Sequence, residues 1–93
     1  MIIACKKTEN CFADSRTYEY SLTISAEEFL KLLDDTWQIR KNLKLRRPVF
    51  LAERDQIRIK GILAGSAIRV SYPEDAWEAQ KKKLEEWMEH TYD

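Results

Sequence analysis

The chain has 93 residues, 44% of them hydrophobic, with only two glycines and two prolines; this suits one folded domain and argues against collagen-like, linker-rich or low-complexity structure. Sixteen basic and sixteen acidic side chains leave no net charge, which argues against a disordered polyanion and against a globally basic nucleic-acid binder. Two cysteines are too few for a disulfide scaffold, and nothing approaches the ~18 apolar residues of a membrane span.

The opening Met1-Ile2-Ile3-Ala4-Cys5-Lys6-Lys7 places its lysines after the apolar residues, the reverse of a secretory leader, so a cytoplasmic location is expected. Residues 2–5 read as a short strand, in which Cys5 packs as a small hydrophobe. Residues 8–16 are polar and turn-like, and Cys11 falls there. Over residues 17–24, Tyr18, Tyr20, Leu22 and Ile24 alternate with Thr17, Glu19, Ser21 and Thr23, the period of a half-buried strand.

Ser25 followed by Glu28 is a capping box, and the spacing predicts a helix from Ala26 to about Leu43. Its apolar arc takes in Phe29, Leu30, Leu33 and Trp37, with Leu32, Ile39 and Leu43 beside them. Pro48 prevents continuation. Val49-Phe50-Leu51 starts a strand, and Glu53-Arg54-Asp55 reads as a turn. Ile57 and Ile59 alternate with Gln56, Arg58 and Lys60 in the next strand, where Gly61 suggests a bulge. Ala64-Gly65-Ser66 reads as a tight turn, and Ile68, Val70 and Tyr72 alternate with Arg69 and Ser71.

Pro73-Glu74-Asp75 is expected to open a second helix, since proline removes no needed donor there and early acids suit the helix dipole. Trp77, Leu84, Trp87 and Met88 form its apolar stripe. The predicted order is ββ-α-βββ-α. The fold class is α+β, a single domain over residues 1–93, with about five antiparallel strands and two helices packed on one face.

Charge is distributed unevenly beneath the zero total. Residues 1–35 hold four basic and seven acidic side chains, residues 36–72 nine and two, and residues 73–93 three and seven, giving balances of −3, +7 and −4. No acid occurs between Asp35 and Glu53, a stretch containing Arg40, Lys41, Lys44, Arg46 and Arg47. If Ile57, Ile59, Ile68 and Val70 face the core, then Arg58, Lys60 and Arg69 share the opposite face. These eight residues are the candidate partner-binding set, and the acidic C-terminal helix is the alternative destination for their charge.

An acidic protein surface is the leading expected partner for such a set, in a non-enzymatic binding or regulatory protein. A nucleic acid bound through the same residues is the alternative, and it would be favoured by exposed aromatics such as an outward Phe50. Residues 25–93 follow the α-βββ-α order and so resemble double-stranded RNA-binding domains. Glu74, Asp75 and Glu78 stand where those domains carry lysines, while Lys81-Lys82-Lys83 comes later. The strand–helix–meander order is also similar to that of small ribosome-dependent toxin nucleases, a resemblance that implies RNA cleavage by Arg58, Lys60, Arg69 and Tyr72.

No catalytic residue, cofactor or metal is expected. His90 is the single histidine, near a helix end where a cation suits the dipole, and with Cys5 and Cys11 it does not make zinc-ligand spacing. Two glycines cannot build a phosphate-binding loop. The apolar stripe of the last helix is expected to pack on the sheet, and a homodimer contact would lie at its edge if Met88 and Tyr92 stand there.

Overall fold

The computed structural model describes residues 2–8 and 15–91; the expectations for Cys11, Tyr92 and most of the 8–16 stretch fall outside these residues. In chain order the elements are β1 (Ile2–Thr8), β2 (Ser15–Leu22), α1 (Ala26–Leu32), β3 (Gln38–Asn42), β4 (Val49–Arg54), β5 (Ile57–Ile62), β6 (Ala67–Pro73) and α2 (Trp77–Thr91). The six strands form one antiparallel sheet in the order β1-β2-β6-β5-β4-β3. This is the expected α+β class with one strand more than predicted.

The additional strand comes out of the predicted long helix. The Ser25 hydroxyl accepts from the Glu28 amide at 3.2 Å and caps α1 as expected, but α1 ends at Leu32, with Leu33 extended at φ −73°, ψ 140°. The Asp34 carboxylate then accepts from the Thr36 amide at 3.0 Å and from the Thr36 hydroxyl. That local turn offers the backbone an alternative to helix, and two aspartates followed by threonine have little helix propensity to resist it. Arg54 lies 4.4 Å over the ring of buried Trp37 and donates to the Thr36 hydroxyl at 2.9 Å, fastening this turn to the end of β4. Residues 38–42 then pair with β4 from Gln38 opposite Glu53 to Asn42 opposite Val49.

Three further boundaries differ from expectation. The β4–β5 turn is Asp55-Gln56, whose φ values of 49° and 70° define a two-residue loop twisted to match the strands, so Glu53 and Arg54 stay in β4. Gly61 makes no bulge: it pairs in register with Phe50 and Ile68. A Cβ on Gly61 would lie 3.1 Å from Phe50 Cε1 and 3.0 Å from the Ala67 carbonyl oxygen, so its role is to leave room for the Phe50 ring. Pro73 closes β6 rather than opening α2, a position where a missing N–H breaks no continuing ladder.

The core lies on one face of the sheet. Tyr20, Leu22, Phe50, Ala52, Ile57, Ile59, Ile68, Val70 and Tyr72 are buried, together with Phe29 of α1 and Leu84 and Met88 of α2. The helices meet where the Phe29 and Trp87 rings stand edge to face, 6.0 Å between centroids. Within this core the Tyr20 and Tyr72 hydroxyls lie 2.8 Å apart, and Tyr20 also donates to the Glu85 carboxylate at 3.0 Å. Burial pushes both tyrosine hydroxyls well above the ordinary phenol range. The start of α2 is tied down by Trp77, which stacks with Tyr18 at 6.1 Å and receives the Arg16 guanidinium at 4.4 Å while Arg16 donates to both Glu74 oxygens.

Candidate functional site: the helix-free face of the sheet

Strand register brings one residue from every strand into a single row on the face away from the helices. It runs Lys6, Glu19, Arg69, Lys60, Leu51, Arg40 across β1, β2, β6, β5, β4 and β3. Alternation places them there because their chain neighbours Tyr20, Val70, Ile59, Phe50 and Ala52 are committed to the core. The adjoining row holds Gln38, Glu53, Arg58 and Ser71, and on the other side Val49 pairs directly with Ile62.

Val49, Leu51 and Ile62 give this face an apolar centre. They line a shallow groove of about 610 Å³ bordered by Lys60, Arg69 and Glu19. Ile62 is 38% exposed, a large aliphatic side chain left facing solvent. At its end the groove approaches a smaller hollow lined by Arg46, Arg47, Pro48 and Ile62. The result is an apolar strip with basic side chains on its borders.

The structure divides the eight candidate basic residues into groups. Arg58, Lys60 and Arg69 lie opposite the core, as alternation predicts, and Arg40 joins them through β3. Lys41 points to the other side of the sheet, in line with Phe50, so the Arg40–Arg47 stretch does not join that face as a whole. Lys44, Arg46 and Arg47 occupy the exposed β3–β4 connection, where the Asn42 side chain accepts from the Lys44 amide at 3.2 Å.

Ion pairing divides them again. Arg69 meets Glu19 at 3.2 Å, and Lys6 approaches the same carboxylate at 3.6 Å. The hydrogen bond from Arg69, with help from Lys6, holds the Glu19 carboxyl below the usual carboxylate range. Arg58 meets Glu53 at 3.4 Å. The neutralising acids for these two arginines therefore come from neighbouring strands. The α2 carboxylate Glu85 is engaged with Lys81 at 2.5 Å on the opposite side of the sheet. Arg40, Lys41, Lys44, Lys60, Arg46 and Arg47 have no ion-pair partner among the described residues.

No protein-family model matches this sequence. No curated protein matches it, and no solved structure does. The site therefore rests on its own geometry.

Several residues raised by the other readings lie away from this face. Phe50 is 2% exposed and packs in the core beside Gly61, so it offers no base a stacking platform. Tyr72 is fully buried beneath α2, on the other side of the sheet from Arg58, Lys60 and Arg69, and the nuclease-like set is not brought together. Four strands follow α1, not three, so the α-βββ-α order is not reproduced. Met88 is fully buried and leaves no edge of α2 for a second copy at that position. Cys5 is exposed in β1 rather than packed, and its thiol is pushed up chiefly by desolvation. His90 is exposed near the end of α2. Among the described residues no three His, Cys, Asp or Glu side chains are placed to hold a metal ion, and no helix is long and apolar enough to cross a membrane.

Sequence reasoning missed Leu51, Ile62 and the pairing acids Glu19 and Glu53. For Leu51 the deciding relation is one of register: Gly61 lies opposite Phe50 and makes room for its ring on the core side, which turns Leu51 outward.

Proposed function

We propose that this chain is a non-enzymatic binding or regulatory protein whose helix-free sheet face engages an acidic protein segment with apolar side chains. The observation that carries this reading is the row Arg40–Leu51–Lys60–Arg69, with Val49 and Ile62 beside it. Basic groups border an aliphatic strip, and Arg40 and Lys60 have no acidic partner of their own among the described residues. Such a surface rewards a ligand that supplies both carboxylates and aliphatic contacts. A phosphate backbone would use the charge and leave the aliphatic strip without a partner. Among the described residues the face carries no aromatic platform of the kind that single-stranded nucleic-acid sites use.

Fluorescence anisotropy separates the two ligand classes. The probes are a labelled peptide of alternating glutamate and valine and a short mixed-sequence RNA, each at low and physiological salt. The expected result is saturable peptide binding that Leu51→Ser weakens several-fold at either salt. Tighter binding to RNA, a steep loss with salt and indifference to Leu51→Ser would replace this reading with nucleic-acid recognition.

A further inference from the structure

We infer that the free edge of β3 is a docking strand for an extended acidic segment, which adds to the sheet as a seventh strand; this rests on the acidic-partner reading above and places a further stretch of the same segment at the edge where the face row ends, at Arg40. The phase of the β4 hydrogen bonds fixes which backbone groups of β3 are unused. The two-residue loop Asp55-Gln56 makes Arg54 and Ile57 a hydrogen-bonded pair. The bond from the Leu63 amide to the Pro48 carbonyl at 2.9 Å continues the same phase along β4, through Ala52 and Phe50. Those residues spend their backbone groups on β5, so Glu53, Leu51 and Val49 bond to Gln38, Arg40 and Asn42 on β3. The N–H and C=O of Ile39 and Lys41 therefore point away from the sheet.

The side chains around those groups select the occupant. Every residue of β3 is exposed, and Arg40 and Lys41 project to opposite faces without an acidic partner among the described residues. An extended chain of alternating acidic and aliphatic residues sets its carboxylates beside Arg40 on one face and its aliphatic side chains beside exposed Ile39 on the other, while its backbone bonds to Ile39 and Lys41. A second copy of β3 is a poor match. Antiparallel self-pairing that uses Ile39 and Lys41 centres on Arg40, placing two guanidinium groups directly opposite each other at the closer of the two strand spacings. The other edge of the sheet, β1, is interrupted by a register shift between Ile2 and Ala4, a feature that turns an edge away from pairing; β3 has none.

The test uses the full chain and a capped peptide of alternating glutamate and valine, followed by amide exchange and chemical shifts. In the free protein the Ile39 and Lys41 amides should exchange faster than the Arg40 amide between them. Peptide binding should slow both by about tenfold or more. Ile39→Pro removes an outward donor, no charge and no ladder bond, and should weaken binding roughly five- to tenfold, whereas Ile39→Val should bind as the parent does.

Equal binding to Ile39→Pro and the parent, with shifts confined to Lys60, Ile62 and Arg69, would overturn edge docking and leave the acidic-partner reading intact. Absence of binding to the parent would overturn both. Protection of Ile39 and Lys41 without peptide, together with sedimentation as a dimer, would show that a second copy holds the edge. Exchange in the unsubstituted protein decides the matter even if Ile39→Pro does not fold.

Discussion

The two faces of the sheet are cut from the same strands and obey opposite rules. On the helix side, tyrosines, isoleucines and Phe50 are buried, and their polar atoms find partners within the fold, as in the Tyr72–Tyr20–Glu85 chain. On the other side, Val49, Leu51 and Ile62 are left partly open between lysines and arginines. A 93-residue chain has little apolar surface to spare for its core. The aliphatic side chains of the helix-free face are the feature on which the proposed binding role rests.

The helix-side face should be the more sensitive to substitution. Phe29→Ala deletes a fully buried ring that meets Trp87, and a loss of about 3–5 kcal/mol in denaturant unfolding is expected. A loss under about 1 kcal/mol would mean that α1 contributes little to the core. Gly61→Val forces a side chain against Phe50 and the Ala67 carbonyl, and should cost roughly 1–3 kcal/mol in the same measurement.

Tyrosine ionisation sharpens the contrast. The folded values of Tyr20 and Tyr72 lie above the unfolded value of about 10, so the stability they contribute is fully present below that pH and is lost as pH rises above it. Of the four tyrosines, two should therefore titrate only as the protein unfolds in base. Ordinary titration of Tyr20 and Tyr72 in the folded state, followed by ultraviolet absorbance, would show that the pair is not sealed beneath α2.

Much of the fold follows from local patterning, and the exceptions have identifiable causes. Alternation in residues 17–24, 56–60 and 68–72 marks β2, β5 and β6 because one face of each is buried and the other is not. The Ser25–Glu28 cap locates the start of α1 for the same local reason. The end of α1 is not accessible to periodicity. Phe29, Leu33 and Trp37 fit a helical stripe, but a turn built by Asp34 and Thr36, and the open edge of β4, compete for the same backbone. The candidate site was partly visible, since Arg58, Lys60 and Arg69 follow from strand alternation alone. Arg40 joins them only through β3 register, and the acids that neutralise Arg58 and Arg69 come from β4 and β2, relations that depend on tertiary pairing.

The measurement that bears most directly on the central claim compares charge reversal at the two sides of the molecule. Lys60→Glu lies on the helix-free face and Lys82→Glu on the exposed side of α2, and each changes net charge equally. With the glutamate–valine peptide as ligand in fluorescence anisotropy, Lys60→Glu should weaken binding roughly five- to tenfold and Lys82→Glu should leave it within about twofold. Equal losses from both variants would mean that overall charge, not the helix-free face, holds the ligand, and would contradict the account.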